Sequence, residues 1–166
     1  MELLKEVANF SGKSGLYRIL KPGRNGVIVE SMDDKREKSM MNATARVSVL
    51  KDISIFMADT DKATPIGDVF TTIHDKYQGE FLEPKNMSDY ELVDFMTTIL
   101  PGYDTEKVYL SDIRKVMSWY NILVKYLPEV FEKTEQNKAD SNKEVETVEN
   151  ATVEAPTESK AKGKKK

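Results

Sequence analysis

The strongest hydrophobic pattern in the chain runs from Ser111 to Leu127, SDIRKVMSWYNILVKYL. At about 100° per residue, Ile113, Val116, Met117, Tyr120, Leu123, Val124 and Leu127 share one face. That is the spacing of a helix packed on a core. Trp119, Ile122 and Tyr126 widen the apolar arc to about 220° on the same wheel, and Arg114, Ser118, Asn121 and Lys125 keep a narrow polar stripe. An arc this wide needs neighbours on more than one side, so the segment is predicted to be an inner scaffold helix.

Two further helices precede it. Ile66, Val69, Phe70, Ile73 and Tyr77 follow one face, with Thr64 placed as N-cap, Pro65 at the first position and Gly79 as the stop. Leu92, Val93, Met96, Ile99 and Leu100 follow another after a capping box at Ser88–Glu91, and Pro101-Gly102 ends it. Asp104 to Val108 is read as a short helical turn, with Ser111 capping the last helix.

Before residue 57 the period is two. Glu2 to Ala8 reads as one or two helical turns, and Asn9 to Gly15 as a break carrying Gly12 and Gly15. Strands are predicted at Leu16–Leu20, Val27–Met32, Ser39–Asn42, Arg46–Leu50 and Ile53–Phe56, separated by turn-forming runs such as Lys21-Pro22-Gly23-Arg24-Asn25-Gly26. No helix for a parallel crossover lies between them, so the sheet is expected to be antiparallel, and the strand density favours a small barrel. The expected class is α+β, with residues 1–57 a small β-barrel, 58–63 a linker and 64–131 a helical domain. Residues 132–166 are expected to be a disordered tail, because aromatics vanish there and Glu, Lys, Thr, Asn and Ala dominate.

Composition narrows the chemistry. The 166 residues have a net charge of −3, no cysteine and one histidine, His74. Disulfides, thiol catalysis and cysteine-ligated metals are excluded. The opening MELLKEVANF has no leader pattern, and no run approaches a membrane-spanning length, so a cytoplasmic protein without membrane insertion is expected. The tail is bipolar: Glu132 to Glu158 holds eight acidic and three basic residues, whereas Lys160 to Lys166 holds five lysines.

The ordered part resembles a family of short Bacteroidetes proteins known as a domain of unknown function. The likeness rests on Ser11-Gly12-Lys13 with Gly15-Leu16-Tyr17, Val29-Glu30-Ser31 with Asp33, and Arg46-Val47-Ser48-Val49-Leu50 with Asp52-Ile53-Ser54-Ile55. Tyr103-Asp104, Val108-Tyr109, Ser111-Asp112-Ile113 and Trp119-Tyr120-Asn121 complete it, over about residues 1–127. The resemblance implies an SH3-like barrel followed by a small helical domain, and no activity.

Candidate chemistry is sparse. Gly12-Lys13-Ser14 imitates the end of a phosphate-binding loop, but Val7 stands where the first glycine belongs and a strand, not a helix, follows. A turn into the strand is the simpler reading. His74 has no second histidine for a common zinc site and no G-x-S-x-G elbow to serve. Asp59-Thr60-Asp61 begins like a calcium loop but has Thr64 and Phe70 where glycine and glutamate are needed. No catalytic residue, cofactor or metal is therefore assigned.

Aromatic and basic residues interleave late in the chain, and Tyr17, Tyr103, Tyr109, Arg114, Lys115 and Trp119 are the candidate partner-binding residues. Against this, Trp119 lies on the apolar arc and is more simply core. The expected function is a non-enzymatic interaction or adaptor protein that binds a protein partner through the barrel and helical domain. Binding of RNA or DNA is the alternative, supported by the lysine-rich end, and a hydrolase or transferase is the weakest option.

Overall fold

The computed structural model describes residues 1–42, 44–58 and 62–132. The expectations placed on Asp59-Thr60-Asp61 and on the tail beyond Glu132 lie outside these residues. The class is α+β. A short 3₁₀ turn at Glu2–Glu6 leads into β1 (Val7–Phe10), followed by β2 (Tyr17–Gly23), β3 (Gly26–Ser31), β4 (Lys38–Asn42) and β5 (Val47–Val49). They form an antiparallel five-stranded sheet of order β4-β3-β2-β1-β5.

Two sequence expectations change here. Val7–Phe10, read as the end of a helical turn and a break, is strand β1, paired on both sides between β2 and β5. Its alternation was too short to register, although Val7 and Ala8 are fully buried. The sheet is also not closed into a barrel. After a 3₁₀ turn at Leu50–Asp52 the chain does not return to β4. It forms β6 (Ser54–Phe56), which pairs with β7 (Ala63–Pro65) as a separate two-stranded sheet.

Turn chemistry fixes the hairpins. At the β2–β3 turn Gly26 is required sterically, because a Cβ there would lie 1.8 Å from the Met41 carbonyl oxygen of β4. At the β3–β4 turn one Asp33 carboxylate oxygen accepts from Ser31 Oγ and from the backbone N–H groups of Lys35 and Arg36, at 2.9–3.0 Å. These bonds, led by the Ser31 hydroxyl, hold the Asp33 carboxyl below its ordinary pKa.

The helices are α1 (Ile66–Tyr77), α2 (Asp89–Ile99) and α3 (Leu110–Tyr126), and 129–132 adds a further helical turn. Ser88 caps α2 with the capping box expected: its hydroxyl accepts from Glu91 N–H while the Glu91 carboxylate accepts from Ser88 N–H at 2.7 Å. The other two caps differ. Thr64 lies in β7, so Pro65 is the N-cap of α1. Tyr109, not Ser111, is the N-cap of α3, where the Asp112 carboxylate accepts from the Tyr109 N–H at 3.4 Å.

The main core crosses the chain from end to end. Leu4, Leu16 and Leu50 from the sheet half belong to the same buried cluster as Phe70, Leu92, Met117 and Tyr120 from the helices. A smaller cluster of Ala8, Phe10 and Val29 lies on the other side of the sheet. The inner face of α3 is the one its periodicity predicts: Ile113, Val116, Met117, Tyr120 and Leu123 are all buried. The wider arc is not. Trp119, Ile122 and Tyr126 are only partly buried, as is Val124 of the expected inner face, because the neighbouring layers cover one side of the helix and leave a cleft on another.

Candidate functional site: a cationic cleft beside helix α3

The polar stripe of α3 does positional work first. The Asn121 side chain clamps the backbone of Leu82, accepting from its N–H at 2.9 Å and donating to its carbonyl at 2.6 Å. This holds the segment before α2 against α3. Arg114 Nη2 reaches Asp89 Oδ1 at 3.0 Å, and Lys125 Nζ reaches Asp34 Oδ1 at 2.8 Å, tying α3 to α2 and to the β3–β4 turn.

Between the β1–β2 loop, the start of β5, the Pro84-Lys85 turn and the first two-thirds of α3 lies a cleft of about 790 Å³. Its shape follows from the loop. Gly12 and Gly15 adopt positive φ of 80° and 81°, Ser11 N–H bonds to Arg46 O at 2.9 Å, and Asn9 Nδ2 donates to Gly15 O at 2.9 Å. Lys13, Arg46, Lys85, Arg114 and Lys115 line the cleft, and among the described residues no carboxylate does. Asp89 partners Arg114 and Asp112 partners Lys115, at 3.0 and 2.9 Å, from outside the lining. Lys13, Arg46 and Lys85 have no ion pair among the described residues. Like charges converging on a concave surface raise the local anion concentration, even though the whole chain is net negative.

An apolar recess adjoins the cleft. It measures about 210 Å³ and is walled by Ile55, Phe56, Ile66, Val108 and Val116, with Lys107 and Asp112 at its lining too, and it shares Lys115 and Trp119 with the cleft. Phe56 is 52% exposed, with Lys107 Nζ 5.2 Å from its ring centroid. Cationic cleft and apolar recess therefore meet at Trp119, the single tryptophan of the chain.

The six residues expected to bind a partner divide. Arg114, Lys115 and Trp119 come together in the cleft, and the Gly12-Lys13-Ser14 turn faces them. Tyr17 lies outside its lining, edge-on to Phe10 at 5.6 Å between centroids. Tyr103 is buried, bridging by its backbone to Met57, and lies outside the cleft lining. Tyr109 is exposed, but lines a different hollow with Val93 and Tyr103. Arg46, Lys85 and Phe56 were not anticipated. Each is one charged or aromatic residue in a turn or short strand, and only the tertiary arrangement brings it to the cleft.

His74 lies elsewhere, half-buried on α1 with its ring stacked on Phe131 at 4.3 Å and 9°. Among the described residues no group of His, Asp and Glu could hold a metal ion, and no helix is long and apolar enough to cross a membrane.

Comparison with known proteins now places the chain. Residues 4–50 match the model of a Domain of unknown function (DUF5606), and residues 53–123 match a second Domain of unknown function (DUF6852). A solution NMR structure of a structural-genomics target from Bacteroides vulgatus is similar at 34% identity, covering 73% of this chain and 85% of that one, with a TM-score of 0.60. The chain belongs to this Bacteroidetes-type family of two consecutive domains of unknown function. No curated protein matches it. The family's two segments meet at the cleft: Lys13 and Arg46 come from the first and Lys85, Arg114 and Trp119 from the second.

Proposed function

We propose that the protein is a non-enzymatic interaction module whose cleft takes a short acidic segment of a protein partner carrying an apolar anchor. The observation that carries this reading is the junction at Trp119 of a cleft lined by five cationic residues with a largely apolar recess, where Asp112 is paired with Lys115. The acidic groups would lie against Lys13, Arg46 and Lys85, and the anchor would enter the recess beside Phe56 and Val116. Aromatic anchors framed by charge are how peptide grooves gain both affinity and register. The antiparallel meander and the 3₁₀ turn before β6 support keeping the SH3-like barrel as the parent of the sheet half, by fold analogy alone. A cytoplasmic location goes with this reading and with the lack of cysteine.

Nucleic acid is the competing ligand, since a basic groove with an aromatic also suits a single strand. A long polyanion would have to run past a surface that is acidic overall, whereas a short segment ends within the cleft.

Trp119 supplies the test. Titration with a short Glu-rich peptide bearing one leucine should shift Trp119 emission, and K13E/R46E should weaken binding about tenfold or more at low salt. Tighter binding of oligo-dT than of the peptide would replace this reading with the nucleic-acid one. No emission change with either probe would remove the cleft as a binding site.

A further inference from the structure

The sequence beyond the described residues contains a segment that matches the cleft in chemistry. Residues 144–154, EVETVENATVE, interleave Glu144, Glu146, Glu149 and Glu154 with Val145, Val148 and Val153. Acidic groups spaced by β-branched apolar ones are what a cationic cleft joined to an apolar recess would receive. The five lysines from Lys160 to Lys166 are repelled by the same cleft, so charge selects one part of the tail and rejects the other.

Reach permits the contact. The eleven residues 133–143 span up to about 36 Å when extended. The chain leaves from Glu132, after a helical turn that stacks Phe131 on His74. The length of α3 from its end at Leu127 back to Ser111, the lining residue nearest its start, is about 24 Å at the helical rise. That leaves about 12 Å of the linker to join Glu132 to that path. A segment tethered by so short a linker sees its site at roughly millimolar effective concentration.

We propose that residues 144–154 occupy the cleft of their own chain and compete there with an external acidic partner. The inference rests on the cleft being an acidic-segment site, as proposed above. Binding of a partner then requires displacement of the tail. Modification of the tail or a change in ionic strength thereby controls access to Lys13, Arg46 and Lys85.

The test compares the full chain with its full-length variant E144Q/E146Q/E149Q/E154Q, both monitored through Trp119. In the unaltered chain acrylamide quenching of Trp119 should be low, should rise with added NaCl, and should not depend on protein concentration. In the variant it should be high from the start, with the melting temperature unchanged. A synthetic peptide of sequence EVETVENATVE should bind the variant about tenfold more tightly than the unaltered chain, because the cis competitor is gone. Equal affinity for both would overturn tail occupancy while leaving the cleft site standing. Quenching that falls as protein concentration rises would assign the segment to a second copy and overturn the cis contact. If this peptide binds neither chain but the Glu-rich leucine peptide does, the tail inference fails alone; if neither peptide binds, the cleft reading fails with it.

Discussion

At the C-terminal end of α3, Lys125 and the Tyr126 hydroxyl both reach Asp34 Oδ1 at 2.8 Å. Beside the N-terminal part of the same helix, Lys13, Arg46 and Lys85 surround a cleft whose lining, among the described residues, has no carboxylate. Both regions are exposed and basic, yet they do different jobs. The charge of Lys125 has a fixed partner, and that contact sets where the β3–β4 turn lies against the helix. The cleft charges are held in place by backbone contacts instead, such as Ser11 N–H to Arg46 O, so their side chains remain available to something else. In this molecule the state of the partner, more than the sign of the charge, separates a structural cation from a candidate binding one.

The largest test removes what the two regions share. Tyr120 is fully buried on the inner face of α3, edge-on to Phe131 at 5.8 Å, and Tyr120→Ala should cost about 3–5 kcal/mol of stability. Denaturant unfolding followed by circular dichroism would show both regions lost together. Tyr120→Phe should behave oppositely. The Tyr120 hydroxyl is buried with no partner at hydrogen-bond geometry among the described residues, and burial raises its pKa. Its removal should leave stability unchanged or slightly higher.

A smaller effect is expected at the cleft's outer support. Ser88→Ala should cost about 1 kcal/mol through loss of the α2 cap. It should also loosen the first turn of α2, which presents Asp89 to Arg114. The comparison is sharpened if chemical shifts move around Arg114 and stay fixed around Lys125.

The smallest effect belongs to Asp34→Asn, and pH reveals it. Hydrogen bonds from Lys125 and then Tyr126 hold the Asp34 carboxyl below its ordinary value, while Asp34 raises Lys125. The depressed carboxyl contributes stability above its unfolded pKa of about 3.9 and loses it as pH falls through the folded value. The raised amine contributes fully below about 10.4 and loses its share as pH rises through its folded value. The variant should therefore differ from the parent between those limits and converge with it in acid. Both groups are solvent-exposed, so the difference should shrink with salt.

Much of this architecture was legible in the sequence because periodicity reports burial. The inner face of α3, the Ser88–Glu91 box and the antiparallel strand succession follow from local spacing. Strand β1 was not legible, since four residues give too little alternation to outweigh the glycines after them. The open sheet was not legible either, because Ala63–Pro65, the partner of β6, reads by pattern as the end of a linker and a helix cap. For the cleft, Arg114, Lys115 and Trp119 were visible as a cluster within one helix. Arg46 and Lys85 reach them only through the Asn121 clamp on Leu82 and the Ser11–Arg46 contact, and neither leaves a mark on hydrophobic spacing. Trp119 both packs against the core, as the wheel has it, and lines the cleft, because the wheel assigns direction but not what stands opposite.

The core that joins Leu4, Leu16 and Leu50 to Phe70, Met117 and Tyr120 has a consequence for heredity as much as for folding. Two segments that share one interior cannot be shuffled like beads. A change of volume on one side must be met on the other, so they are expected to be inherited as a pair. A duplication of either alone would expose a half-built interior and be lost to proteolysis.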